Sequence, residues 1–226
     1  MKKIIFTSIF ISLFLFTVSA QKKSRFKGII TYSISLESPN LPPEAIAMMK
    51  GAEMVVYING DKRRVDLNMS VQNASVIIDD KAKTMANLME IAGKKYLINM
   101  NEEEIKKDEV LEPTPQFKYT DEVKKIAGYE CKKVEITTKD AYGKDLVSYA
   151  YCTNEIPEFE IKNPIKGLKG FPMEYSTSEM GVIMSFTTKS VKKEKVDADK
   201  FTVPEGYISI TTEEFQKLMS QTAQPQ

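Results

Sequence analysis

The sequence predicts a mainly β protein (α+β) built on one large curved antiparallel sheet, a half-barrel, with two or three short helices against one face. Three observations support this fold class. Apolar and polar residues alternate along several segments, as in residues 30–36, which is the pattern of half-buried strands. Asn59-Gly60 separates two such segments and is a strong hairpin signal. Helix signals are few, and each spans only a short segment.

The first residues carry the features of an export signal. Lys2 and Lys3 precede an apolar run at residues 4–18, which is shorter than the roughly 20 residues of a membrane-spanning helix. Small side chains follow, so we expect cleavage between Ala20 and Gln21. The sequence therefore predicts a signal peptide at residues 1–20, one domain at 21–220 and a flexible tail at 221–226. No cysteine near Ala20 offers a lipidation site, which favours a periplasmic protein, with full secretion left open.

Alternating segments and turn residues predict the remaining strands. Residues 65–69 and 182–186 have period two, and Val76 and Ile78 continue the pattern. Each of three short polar or glycine-containing segments is expected to join two strands. These turns are Asn59-Gly60, Asp79-Asp80-Lys81 and Glu179-Met180-Gly181. The pattern is typical of consecutive hairpins in an antiparallel sheet.

Three short helices have recognisable beginnings. Pro42-Pro43 predicts a helix that continues to about Lys50, because proline is favoured in a first turn. Asn101 with Glu104, and Thr211 with Glu214, have the spacing of capping boxes. The two pairs therefore predict helices that begin directly after Asn101 and directly after Thr211.

Two cysteines lie on neighbouring predicted strands, residues 129–138 and 145–153. A symmetric hairpin places Cys131 directly opposite Cys152, at a Cα separation that a disulfide accepts. The same register pairs Val134 with Tyr149 and Ile136 with Val147. We therefore predict a cross-strand disulfide in an oxidising compartment. The alternative is a redox-active pair, which usually needs closer spacing.

Composition excludes several function classes. The chain of 226 residues has no histidine and no tryptophan, so catalysis by Ser-His-Asp or Cys-His groups and His-ligated metals are excluded. The formal net charge of +1 argues against binding to nucleic acid. Basic clusters such as Lys62-Arg63-Arg64 are interpreted as solvated strand edges. No acidic group has a complete set of calcium ligands, so we expect no metal and no cofactor. No spacing singles out a pair of catalytic carboxylates, so we expect no enzymatic activity, and a hydrolase that uses carboxylates is the third alternative.

Methionines on the predicted inward faces are the main candidates for a binding site. Methionine is flexible and polarizable, which suits a surface that accepts varied apolar ligands. The candidate lining residues are Met54, Val56, Met69, Met89, Met173, Met184 and Phe186. The alternative, that these side chains simply fill a core, is left open by the sequence.

Three segments form a recognisable signature. Gly128-Tyr129-Glu130-Cys131 begins one strand, Glu155-Ile156-Pro157 ends another, and Gly170-Phe171-Pro172-Met173 enters a third. Together they resemble a family of exported bacterial proteins related to the GLPGLI family. The hairpins before them look like the LolA/LolB-type lipoprotein-carrier superfamily. This resemblance implies a half-barrel closed by helices over an apolar cavity, and it brings no catalytic residues.

These observations lead to one expectation and one alternative. We expect an exported, non-enzymatic binding protein that holds an acyl chain, a lipid or a lipidated partner in an apolar cavity. The alternative is an envelope interaction or scaffold module that binds another protein and no small ligand. The oligomeric state is left open.

Overall fold

The computed structural model describes the chain at residues 26–38, 42–69, 73–91, 93–110, 114–139, 143–158, 164–179 and 182–222. Twelve strands in this part form one sheet. The strands are β1 (Lys27–Glu37), β2 (Glu53–Asn59), β3 (Lys62–Asn68), β4 (Asn73–Asp79), β5 (Thr84–Ile91), β6 (Lys94–Met100), β7 (Gln116–Ile126), β8 (Tyr129–Lys139), β9 (Asp145–Thr153), β10 (Phe171–Glu179), β11 (Val182–Lys192) and β12 (Ile208–Ser209). The helices are α1 (Pro43–Met48), α2 (Glu102–Val110), α3 (Thr212–Thr222) and a 3-10 helix at Ala198–Phe201.

The strands follow the order β12-β6-β5-β4-β3-β2-β1-β11-β10-β9-β8-β7. All neighbours are antiparallel except β12 and β6, which pair in parallel. Most neighbours are consecutive in sequence, so short hairpins build most of the sheet. The pairing of β1 with β11 joins the two series of hairpins. The prediction of a mainly β protein with one large, predominantly antiparallel sheet is confirmed.

Local sequence explains the central strands. Alternate residues of β1 and β2 are buried, as the period-two pattern predicted. The β2–β3 turn contains Gly60 at φ 70°, a conformation that costs glycine little. The turn at Asp79-Asp80-Lys81 is also observed between β4 and β5. Strands β10 and β11 are paired as far as Glu179 and Val182. The other two residues of the third predicted turn, Met180 and Gly181, lie outside the described residues.

One face of the sheet carries most of the buried side chains, and we call it the inner face. Ile34, Phe186, Tyr175, Ala150 and Val134 lie opposite one another on five successive strands and define this face. All five are buried and belong to the main apolar cluster. Side chains from the segment between β9 and β10 also belong to this cluster. These are Ile156, Ile165 and Leu168, each of them buried. The segment therefore covers the inner face of this half of the sheet.

The three helices begin where the sequence predicted. Asn101 Oδ1 accepts a hydrogen bond from the backbone N–H of Glu104 at 3.1 Å, and Glu104 Oε2 accepts one from the N–H of Asn101 at 2.8 Å. Thr211 and Glu214 form the same reciprocal pair. These caps satisfy N–H groups that have no partner inside the helix. The last helix extends to Thr222, so the first two residues of the predicted tail are helical.

The predicted register of the β8–β9 hairpin is wrong by one residue. Lys132, not Cys131, lies opposite Cys152, and Val134 lies opposite Ala150. A shift of one residue turns every side chain of a strand to the other face. Val147 and Tyr149, which were expected to face inward, are therefore exposed. The small side chains of Ala150 and Cys152 take their places and leave room for the covering segment.

The two cysteines are separate, buried thiols in this structure. The Cys131 Sγ donates to the carbonyl oxygen of Tyr129 at 3.5 Å. No disulfide joins them in this structure, in which Lys132 lies opposite Cys152, so the cross-strand disulfide stays a prediction. The predicted signal peptide, including Ala20 and Gln21, lies outside the described residues. No helix in the described ranges combines the length and the apolar character that crossing a membrane requires.

Candidate functional site

A cavity of about 460 Å³ lies on the inner face over strands β2 to β6. We call it the inner-face cavity. Its volume is within the range of about 300–1,000 Å³ that is usual for small-molecule sites. Most of its lining is apolar, and methionines contribute at four positions. These are Met54, Met85, Met89 and Met100.

Strand register explains the apolar floor of the cavity. Val56, Val65, Val76, Asn87 and Ile98 lie opposite one another across β2 to β6. A second row, two residues further along the strands, contains Arg63, Ile78, Met85 and Met100. Since directly opposed side chains share a face of the sheet, period-two alternation in five hairpin-connected strands is sufficient to build this floor.

The rim of the cavity comes from β1, from β10 and from α3. Tyr32 and Tyr175 pack edge to face with ring centroids 6.3 Å apart. The Tyr32 hydroxyl donates to the carbonyl oxygen of Pro172 at 2.8 Å, which ties β1 to the beginning of β10. Burial raises the pKa of both tyrosines, so both hydroxyls stay protonated. Phe215 of α3 packs against the apolar cluster of the floor.

Arg63 is the one charged residue among the described residues that line this cavity. Its side chain is only 2% exposed, and its Nη2 lies 3.6 Å from Asp80 Oδ1. The Asp80 N–H donates to the carbonyl oxygen of Asp61 at 2.8 Å, which holds the β4–β5 turn beside the β2–β3 turn. Burial lowers the pKa of the guanidinium to about 10, against the opposing effect of Asp80. Arg63 therefore remains a cation at neutral pH.

Asn87 is the second polar residue of the floor. It lies between Val76 and Ile98 in the first row. Its Nδ2 is 3.6 Å from the Met100 sulfur, a weak acceptor. The carboxamide thus places a polar group in the middle of an apolar surface.

The structure brings together three of the seven predicted lining residues. Met54, Val56 and Met89 line the inner-face cavity. Met173 is completely buried, and Phe186 stacks on Tyr175 with centroids 4.7 Å apart. Met69 and Met184 are partly buried and pack against the main cluster. These four side chains are part of the core and do not line this cavity.

Sequence reasoning missed the most informative residue of the cavity. Lys62-Arg63-Arg64 was interpreted as a solvated strand edge, but β3 is an interior strand and Arg63 is buried. A usable signal existed, because Arg63 continues the period-two series of Val65 and Leu67. Phe215 belongs to the apolar stripe of the helix that Thr211 and Glu214 predict, whereas no comparable signal pointed to Asn87.

The thiols are poor candidates for redox chemistry. Burial raises the pKa of Cys131 to about 11 and that of Cys152 to about 12. The reactive form of cysteine is the thiolate, which these pKa values disfavour at neutral pH. Within the described ranges, no group of three or more His, Cys, Asp or Glu residues could hold a metal ion.

A larger and more polar cleft, of about 1,010 Å³, lies between the ends of β9 and β10. These strands pair only between Ala150–Thr153 and Phe171–Tyr175, so they separate beyond Tyr175. Val147 and Tyr149 on β9 are 59% and 46% exposed, and Ile183 on β11 is 41% exposed. Lys133 Nζ lies 4.5 Å from the Tyr149 ring centroid, so a cation borders this apolar surface. We call these three residues the outer apolar patch.

Two solved structures that this chain resembles share little sequence with it. MucB aligns with a TM-score of 0.36 and 9% identity over 81% of this chain and 60% of that chain. A domain described as an outer membrane lipoprotein-sorting protein, from Vibrio parahaemolyticus, aligns with a TM-score of 0.23 and 10% identity. That alignment covers 78% of this chain and 89% of the other. No curated protein matches this chain.

A sequence profile gives the family. The profile described as a domain of unknown function, DUF4412, matches residues 44–207. This range includes the signature residues between Gly128 and Met173 as well as every strand that forms the floor of the inner-face cavity. The chain therefore belongs to the DUF4412 family.

Proposed function

We propose that this protein is an exported, non-enzymatic binding protein that holds an acyl chain, a lipid or a lipidated partner in the inner-face cavity. The apolar, methionine-rich cavity is the observation that carries the proposal. Burial of a hydrocarbon chain stabilises a complex by about 0.8 kcal/mol per CH₂ group. Such a ligand requires no catalytic group and no metal.

The proposal includes the periplasm as the location of the protein and a half-barrel as the shape of its sheet. The basic and apolar beginning of the sequence supports export to the periplasm, where amphiphiles need a protein to shield their chains from water. The floor from β2 to β6, with α3 beside it, supports a half-barrel that is closed on one side by helices. Methionine side chains adapt to irregular apolar surfaces, which supports binding of chains that differ in length.

Native mass spectrometry and lipid extraction of the protein after export test this proposal. We expect a co-purifying amphiphile, or after its removal, saturable binding of the neutral fluorescent probe N-phenylnaphthylamine. Monolaurin, a neutral amphiphile, should displace the probe. Absence of both a bound amphiphile and competable probe binding would contradict the proposal.

The outer apolar patch favours a second candidate function, a module that binds another envelope protein. Exposed apolar side chains that lie close together often mark interaction surfaces. The patch residues lie on the face of the sheet opposite to the floor of the inner-face cavity. If no amphiphile binds, this second candidate becomes the better explanation of the fold.

A further inference from the structure

A buried arginine on the floor of an apolar cavity calls for an explanation. The strand β3 places Arg63 in phase with Val65 and directly between Ile58 and Ile78. Transferring a charged group from water to such surroundings is costly. Replacing a buried ion pair by apolar residues is often neutral or stabilising, so folding alone does not require a charge here. A role in binding explains why the charge lies on the cavity floor.

The guanidinium can hold Asp80 and a ligand at once. It has five N–H donors in a planar fork, and these donors point along different edges. Asp80 belongs to the turn after β4, whereas the cavity lies over the strands themselves. A carboxylate or phosphate oxygen on the cavity side would therefore form a charge-assisted hydrogen bond without displacing Asp80.

Asp80 also limits the charge of the ligand. Its carboxylate lies 3.6 Å from the Arg63 guanidinium and opposes its positive charge, and no other charged residue lines the described part of the cavity. A head group with several negative charges would be repelled by Asp80. A single negative charge, in contrast, gains the hydrogen bond at a smaller electrostatic cost.

Asn87 provides a second polar contact on the same floor. It lies on β5, two strands from Arg63, which corresponds to about 10 Å across the sheet. The surrounding floor consists of Val65, Val76, Ile78 and Ile98. The two polar groups are therefore separated by apolar surface, as the polar and apolar parts of an amphiphile are.

From this arrangement we infer that the inner-face cavity selects amphiphiles with one negative charge, whose carboxylate or phosphodiester binds Arg63 while the hydrocarbon chain lies on the apolar floor. The inference rests on the proposed function and names its ligand class. A free fatty acid and a lysophospholipid with a phosphodiester head group share this chemistry. Neutral and cationic amphiphiles of the same chain length do not.

Laurate and monolaurin test the inference, because they share an acyl chain and differ in charge. We measure displacement of N-phenylnaphthylamine from the exported protein, and include lauroyl lysophosphatidylglycerol to separate carboxylate from phosphodiester. We expect laurate or the lysophospholipid to bind at least about tenfold more tightly than monolaurin, equivalent to ~1.4 kcal/mol. Tighter binding of one anion identifies which of the two sources the site prefers.

Two variants connect this preference to Arg63. The double variant R63Q/D80N removes both charges together, so neither is left buried alone, and it should bind laurate and monolaurin equally. The matched control is Lys62→Gln, which removes one positive charge from the neighbouring residue, whose side chain is 55% exposed. This control should keep the preference for the anion. Arg63→Lys, which keeps the charge but loses the planar fork, should retain part of it.

The possible results are distinct. If the wild-type protein binds laurate and the lysophospholipid no more tightly than monolaurin, the inference is overturned while the proposed function stands. A preference for the anion that persists in R63Q/D80N also overturns it, because a group other than Arg63 would then bind the negative charge of the ligand. Failure of every amphiphile to bind overturns both proposals. If R63Q/D80N does not fold, an anion preference that is weaker in Arg63→Lys than in Lys62→Gln supports the inference, and an equal preference in the two variants overturns it.

Discussion

The inner face of the sheet is covered differently in its two halves. Over β8 to β10, Ile156, Ile165 and Leu168 from between β9 and β10 pack with inner-face residues in the main apolar cluster. Over β2 to β6, the strands carry equally apolar residues, but a cavity of about 460 Å³ remains. We call these regions the packed half and the open half.

Methionine shows the difference most clearly. Met173 in the packed half is 0% exposed, whereas Met89 in the open half is only partly buried and lines the cavity. Both residues lie on strands of the same sheet. The element that covers a strand, rather than the strand itself, therefore decides whether an apolar side chain fills a core or lines a cavity.

The largest expected effect is a difference in stability between two methionine truncations. Met173→Ala should lower the free energy of unfolding by about 2–5 kcal/mol, because it removes a fully buried side chain from tight packing. Met89→Ala should cost less than about half as much, since part of its surroundings is already empty. Urea denaturation of both variants measures this difference. Equal losses would contradict the division into a packed and an open half.

The next largest effect comes from enlarging a side chain in each half, where the packed half should lose stability and the open half should not. Val76→Phe places extra volume in the inner-face cavity, so we expect little loss of stability and a strong loss of N-phenylnaphthylamine binding. Ala150→Phe adds volume where the packed half has no space and should cost about 1–3 kcal/mol or more. Denaturation and probe titration of the two variants test this. Normal probe binding by Val76→Phe would show that the probe binds elsewhere.

The smallest effect concerns the two thiols of the packed half. Since both cysteines are free in the structure, a reductant should leave the unfolding midpoint unchanged at neutral pH. Intact mass after alkylation of unfolded, unreduced protein should show two modified thiols. A loss of about 3 kcal/mol on reduction would instead support the disulfide that the sequence predicted.

Raising the pH should destabilise the reduced protein. Burial raises the pKa of Cys131 to about 11 and that of Cys152 to about 12, from an ordinary value of 9.0. At a pH between 9.0 and about 11, the thiols of the unfolded chain have lost protons that the thiols of the folded chain still hold. Stability is therefore complete below about pH 9 and falls as the pH rises towards 11–12, and burial of Tyr175 acts in the same direction. Denaturation at neutral pH and at about pH 10 measures this; an unchanged midpoint would contradict it.

Features that depend on a few neighbouring residues were predictable. The Asn59-Gly60 hairpin, the alternation of β1 and β2, and the caps at Asn101 and Thr211 are all observed. In each case the physical cause is local, such as a positive φ angle, strand periodicity or a hydrogen bond within one turn. The same local reasoning found Met54, Val56 and Met89 as lining residues.

The register of β8 against β9 was not predictable from the same information. The expected pairing matched large apolar residues, Val134 with Tyr149, and was plausible for an isolated hairpin. The folded protein buries Ala150 and Cys152 instead, and both pack in the main cluster with Ile156, Ile165 and Leu168 from outside the hairpin. The pairing of an isolated hairpin takes no account of such contacts.

The sequence by itself determined the strands, most of the turns, the helix caps and the series of apolar residues that face inward, because each depends on short-range geometry. Only the tertiary structure decided which inward faces are packed and which remain open. It also decided that Arg63 lies buried on the floor of a cavity and that Met69, Met173, Met184 and Phe186 belong to the core. The physical reason is that packing depends on which residues cover a face, and the alternation within a single strand does not reveal them.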